Sequence, residues 1–170
     1  TQNRFLPNIP VVFTANGGGL AVTGTGATNA NGQSTATLTT PGDPSNRTIT
    51  VTATAQSISQ TVTVPVTGTT LAVQGPATLA LNGQGTYTVT LADSAARGIV
   101  ARALTVASAR ANTLSATALT TDSQGRATFT STITQPGNDT LTITGLGLTA
   151  TQPVTVNADS FAFTTPAADN

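Results

Sequence analysis

The sequence predicts an all-β chain of two tandem sandwiches, the first lacking its N-terminal strands, and three observations carry that prediction. Thr alternates with Val, Ile and Leu through much of the chain, the period-2 signature of strands with one wet face. No apolar stripe of 3.6-residue period appears anywhere. One passage is also written twice: Asn29-Ala-Asn-Gly32-Gln-Ser-Thr-Ala-Thr returns as Asp122-Ser-Gln-Gly125-Arg-Ala-Thr-Phe-Thr, the two glycines 93 positions apart (125 less 32). Pro10-Val-Val-Phe13 stands opposite Ala103-Leu-Thr-Val106 at the same interval, and Thr61-Val-Thr-Val64 opposite Pro153-Val-Thr-Val156 at 92 (156 less 64). A period near 90 residues is too long for a solenoid unit and suits a string of small β domains.

In chain order, the first copy supplies strands at 9–15, 19–23, 33–40, 47–55 and 57–66. The second supplies 69–74, 78–81, 85–92, 99–107, 114–119, 126–134, 139–146 and 150–157, so counterparts of its first three strands are missing from the first copy. The clearest is Thr86-Tyr-Thr-Val-Thr-Leu-Ala92, with Tyr87, Val89 and Leu91 on one face and threonines on the other. Asn29 and Asp122 place a side-chain acceptor three residues before a glycine, the chemistry of a type I turn closed by a left-handed residue. The inward positions predict a core of Val11, Phe13, Ala36, Leu38, Ile49, Val51, Val62 and Val64 in the first copy. In the second they are Tyr87, Val89, Leu91, Leu104, Val106, Phe129, Leu141, Ile143, Val154 and Val156. Face-to-face sheets of this kind enclose a core about 10 Å thick.

The domain boundaries follow: a partial domain at 1–67, a complete one at 68–159, and at 160–170 the start of a following repeat or a tail, where Phe161 and Phe163 alternate. Only Thr67 and Gly68 lie between the last strand of one copy and the first of the next, too few for a flexible coil, so a rod segment is expected. The chain opens at Thr1, partway through a repeat, and reads as a segment of something longer.

Composition narrows function. The chain has 170 residues with no His, Cys, Met or Trp; its charged set is six Arg and six Asp, with neither Lys nor Glu. General acid–base and nucleophilic catalysis therefore lack their usual partners, and zinc and copper lack ligands. No catalytic residue, metal or cofactor is expected. Net charge is zero and the arginines are scattered, which argues against nucleic acid. No apolar run approaches the roughly 20 residues that span a bilayer. Thr, at 39 positions, is β-branched and suits a pleated, half-buried surface. A cysteine-free, Thr-rich, charge-poor composition fits an exported bacterial β domain better than a cytosolic protein.

Leu81-Asn-Gly-Gln-Gly-Thr-Tyr-Thr-Val-Thr-Leu-Ala-Asp93, Ala103-Leu-Thr-Val106 and Thr120-Thr-Asp-Ser-Gln-Gly-Arg-Ala-Thr-Phe129 together resemble the bacterial immunoglobulin-like domains of invasin- and intimin-type (group 1) surface adhesins. Val11-Val-Phe13 and Thr28-Asn-Ala-Asn-Gly-Gln-Ser34 carry the same pattern in the first copy, with Asn29 where the family usually has Asp. Ser94-Ala-Ala-Arg-Gly98 departs from the turn common in the family. The resemblance implies tandem immunoglobulin-like sandwiches with no catalytic residues. It also implies an extracellular module at the bacterial cell surface, in a parent protein anchored to the outer membrane or secreted.

The leading expectation is a non-catalytic structural repeat, a rigid spacer whose partners are neighbouring immunoglobulin-like repeats. The alternatives are a recognition module that binds a glycan or host receptor through its loops, and a strand-exchanged homo-oligomer. Arg97, Arg102 and Arg110 fall within 14 residues and are the candidate partner contacts, against solvated loop charges as the plain reading. Gly17-Gly-Gly19 precedes no Lys-Ser/Thr pair and reads as a loop. Asn46-Arg-Thr48 and Asn138-Asp-Thr140 fit a glycosylation acceptor pattern by chance in a Thr-rich chain. Asp43, Asp122 and Asp139 lie in separate turns, so capping is preferred to Ca²⁺ binding.

Overall fold

Every regular element found is a strand, in a computed structural model that describes residues 4–40 and 42–157. The described residues form two compact units that divide after Thr69. The all-β, immunoglobulin-like expectation holds. The predicted alternation around Phe161 and Phe163 lies outside the described residues.

The second unit is a complete sandwich. One sheet holds β6 (Thr70–Gln74), β8 (Gln84–Ala92), β12 (Arg126–Thr132) and the short β10 (Thr113–Leu114), in the order β10-β12-β8-β6. The other holds β7 (Thr78–Ala80), β9 (Ala103–Ser108), β11 (Ala118–Thr120), β13 (Asp139–Gly145) and β14 (Leu148–Asn157), in the order β11-β9-β13-β14-β7. All pairs are antiparallel except β14 with β7. Thr70 pairs with Ala92, and Gly145 with Leu148, so the chain comes in at the end that carries loops 93–102, 121–125 and 146–147. It leaves along β14 at the opposite end, beside loops 109–112 and 133–138.

Between the sheets, Tyr87, Val89, Leu91, Leu104, Phe129, Leu141, Ile143 and Val154 are buried as predicted, and Ile133 joins them. Val156 is only partly buried. Each such side chain contributes roughly 1.5–3 kcal/mol of transfer free energy. The rings of Tyr87 and Phe129 stack at 5.3 Å.

Two expected strands were wrong in detail. The stretch 114–119 is two short strands on opposite sheets, β10 beside β12 and β11 beside β9. Ser115 makes the break, because its N–H donates to Thr130 O and its hydroxyl accepts from Thr130 N–H. The stretch 99–102 is loop, since Ala101 takes a positive φ and its N–H donates to Thr121 O, off any ladder.

The first unit holds β1 (Val11–Ala15), β4 (Arg47–Ala55) and β5 (Ile58–Val66) in one sheet, and β2 (Gly19–Val22) with β3 (Ala36–Thr39) as a ribbon. It has no counterparts of β6, β7 and β8 among its described residues. Its core is correspondingly poor: among its described residues Ile49 alone is a fully buried apolar residue, and Phe13, Val51 and Val64 are half-buried. Val62, predicted inside, is 59% exposed, since among the described residues no strand of a facing sheet covers it.

The repeat also shifts register in its last hairpin. Ile58 and Leu148 both open the return strand, 90 positions apart (148 less 58). Val64, opposite Ile49, thus matches Val154, opposite Asp139. The Thr-Val-Thr-Val likeness at 92 was two residues out, a slip that period-2 alternation cannot detect because it preserves the face.

Candidate functional site

A polar loop clamp is built by both units. Thr121 Oγ1 donates to Ile99 O at 2.8 Å and accepts from Arg102 N–H at 2.9 Å. Thr28 repeats this 93 positions earlier (121 less 28), donating to Leu6 O at 2.6 Å and accepting from Ile9 N–H at 2.9 Å. The next residue closes a turn. Asp122 Oδ1 accepts from Gln124 and Arg126 N–H, and Asn29 Oδ1 from Asn31 and Gln33 N–H. These bonds, from Arg126 first and Gln124 next, hold the Asp122 carboxyl below its usual value. Gly32 and Gly125 complete the turns with φ near +70°. The Thr-Asp/Asn-x-x-Gly motif is therefore a device of backbone closure.

Asp93 makes a third copy of the turn, with Oδ1 accepting from Ala95 and Arg97 N–H at 2.9 Å each. Here Ala96 stands at the left-handed position, φ +59°. Ala96→Gly is expected to stabilise the second unit by about 1 kcal/mol, because an L side chain is strained there; urea melts of the two proteins check it.

The three candidate arginines do not form one patch. Arg97 and Arg102 flank the loop at the incoming end of the second unit. Arg110 lies beyond the far end of the six-residue β9, about 20 Å away at 3.3 Å per residue. Arg110 is engaged there: its N–H donates to Asp139 Oδ1 at 3.0 Å and its Nε–H to Asn138 O at 3.1 Å. Arg102 Nε is buried and finds no hydrogen-bond partner among the described residues.

At the outgoing end, Asp139 is 3% exposed and centres a closed network. It accepts from Ser108 Oγ at 2.6 Å, Asn112 Nδ2 at 2.9 Å, and the N–H groups of Arg110 and Thr140. Asn112 Oδ1 in turn accepts from Thr134 and Gln135 N–H. Burial pushes the Asp139 carboxyl up, but these donors outweigh it and hold the group below the usual carboxylate value. Nothing in the one-dimensional pattern marked this cluster, since Ser108, Asn112 and Asp139 meet only across loops. Ile49, in register with Asp139, fills the corresponding place in the first unit.

Asp43 belongs to the first unit, where it pairs with Arg47 at 3.2 Å and caps Ser45. Among the described residues no three His, Cys, Asp or Glu side chains gather as a metal site would require, and no helix is long and apolar enough to cross a membrane.

No protein-family model matches the chain, and no curated protein does. Solved structures similar to it include the D0-D1 domain of intimin, at 19% identity, covering 89% of this chain and 81% of that one, with TM-score 0.42. Invasin, described as a bacterial integrin-binding protein, follows at 22% identity, 91% and 33% coverage and TM-score 0.46. The Yersinia pseudotuberculosis adhesin InvE stands at 20% identity, 91% and 51% coverage and TM-score 0.48. The chain thus spans about a third of invasin and half of InvE.

Proposed function

We propose that the chain is a non-catalytic structural repeat, a rigid spacer segment of a bacterial cell-surface adhesin, working outside the cell beside neighbouring immunoglobulin-like repeats. The observation that carries this reading is that the second unit takes the chain in at one end of its sandwich and releases it at the other. Such a module lengthens a stalk by its own strand length each time it is repeated. The end of the first unit is anchored within that unit. Thr69, the last residue of the first unit, is held by Asn46, whose Nδ2 donates to Thr69 O at 2.9 Å and whose Oδ1 accepts from Thr69 N–H at 3.1 Å. Its hydroxyl also donates to Pro44 O.

The loops fit the same role, being closed on themselves by Asp93, Asp122 and Asp139. The test is binding of the fluorescently labelled chain to a glycan array and to host epithelial cells. Binding no greater than that of an unrelated β-sandwich is expected. Saturable binding, lost on replacing Arg97 and Arg102, would overturn the spacer reading in favour of recognition.

A further inference from the structure

Asparagine followed by glycine is the pair whose side chain lies most open to attack by its own backbone, because the next residue has no Cβ in the way. The chain holds it three times, at Asn16-Gly17, Asn31-Gly32 and Asn82-Gly83, and the first two share the tripeptide Ala-Asn-Gly. Sequence alone does not rank those two; the backbone does. Gly32 N–H donates to Asn29 O and Gly83 N–H to Ala80 O, each at 2.9 Å, so both nitrogens are tied into turns. Gly17 N–H finds no hydrogen-bond partner among the described residues.

The Asn16 side chain is set up for the same attack. Its Oδ1 accepts from Thr50 N–H at 2.8 Å, while its own N–H donates to Thr50 O at 3.2 Å. A donor fixed on the side-chain carbonyl polarises Cγ and carries the negative charge that gathers on the oxygen as a nucleophile adds. Nδ2, the group that must leave, makes no hydrogen bond among the described residues. The Asn31 and Asn82 side-chain carbonyls have no such donor there. Asn16 is exposed, and the complete second unit shows that this setting is regular. Ala109, 93 positions on (109 less 16), is exposed too and donates its N–H across to Thr140 O at 3.0 Å.

We propose that Asn16 is a self-modification site, at which the chain converts asparagine to aspartate and isoaspartate with water as co-reactant. The Gly17 nitrogen gives up its proton and bonds to Asn16 Cγ, closing a succinimide ring. The Cγ–Nδ2 bond breaks, and Nδ2 leaves as ammonia with that proton. Water then opens the ring: at Cγ it gives aspartate, at the backbone carbonyl isoaspartate. Nothing is oxidised or reduced. Either product sets a new carboxylate directly after β1 and takes the formal net charge from zero to minus one. Isoaspartate also routes the main chain through Cγ, one carbon longer, where Asn16 N–H meets Thr50 O.

The test is peptide mapping by mass spectrometry of the folded full chain, aged in heavy-oxygen water at mildly alkaline pH. Labelled oxygen should enter at Asn16 about tenfold faster than at Asn31 or Asn82, the rate equivalent of one net hydrogen bond. In unfolding urea the Asn16 and Asn31 rates should converge, since their tripeptide is the same. Gly17→Ala should slow the reaction at Asn16 while leaving the circular dichroism unchanged. Gly17 has no positive φ, and its added Cβ would meet only Ile49 Cγ1, at an ordinary 3.9 Å. Equal rates at the three sites of the folded chain, an Asn16 lead that persists in urea, or an unslowed Gly17→Ala chain would overturn the proposal.

Discussion

Asp139→Ala is expected to lower the unfolding free energy of the second unit by about 4 kcal/mol, a large part of a domain's usual margin. The carboxylate accepts four hydrogen bonds in a site closed to water. Its removal strands the Ser108 hydroxyl and the Asn112 amide, and each orphaned buried donor costs about 1–3 kcal/mol. The damage spreads, because Asn112 fixes loop 133–138 through Thr134 and Gln135 only while Asp139 holds its other end. Asp139→Asn keeps the shape but turns an amide toward a donor, and about half the loss is expected. Tyr87 is the chain's single Tyr, there is no Trp, and it lies in the core of this unit, so its fluorescence reports the transition directly.

The same carboxylate sets an acid limit. Its folded-state value lies below the ordinary one, so its stabilising contribution is complete above the unfolded carboxylate range near 3.9 and fades as pH falls through the lower folded value. Wild type should therefore lose stability steeply below about pH 4, while Asp139→Asn should show a flatter profile there. Equal slopes in the two proteins would remove Asp139 from the account.

What was legible in advance depended on whether a feature is periodic or local. Strand positions and the second unit's core came through, because alternation places Tyr87, Val89 and Leu91 on one face whatever the pairing. The Asn29 and Asp122 turns came through because the partners of those side chains lie within four residues, whereas the Thr28 and Thr121 clamps, whose partners lie 19 to 22 residues away, did not. The Asp139 cluster did not, since Ser108 and Asn112 are brought to it by β9 pairing with β13, a long-range event that no spacing encodes. Val62 misled for the opposite reason: its pattern is that of a core residue, but burial needs a facing sheet, and among the described residues of the first unit no strand covers it. The grouping of Arg97, Arg102 and Arg110 rested on sequence proximity, and a single six-residue strand was enough to separate them.

Gly125→Ala is the second large effect expected, again about 4 kcal/mol, and it separates backbone strain from packing. Gly125 sits at φ +71°, where a side chain costs about 1–2 kcal/mol by itself. An added Cβ would also lie 2.5 Å from both Gly98 Cα and Leu91 O, and 2.6 Å from Ile99 N. All three are backbone atoms, with no rotamer by which to move aside. The turn would have to lift from the loop beneath it, stretching the bond from Leu91 N–H to Gly125 O. Gly147 provides the control, with φ +74° and nothing within 4 Å of its added Cβ, so Gly147→Ala should cost only the strain. Gly98→Ala meets the same contact from below, at 2.0 Å from Gln124 O. Once either glycine is replaced and the loops have parted, the second replacement should cost less than it does alone. Urea melts of the two singles and the double, read at Tyr87, measure that coupling. Strict additivity would show that the two turns do not share one contact.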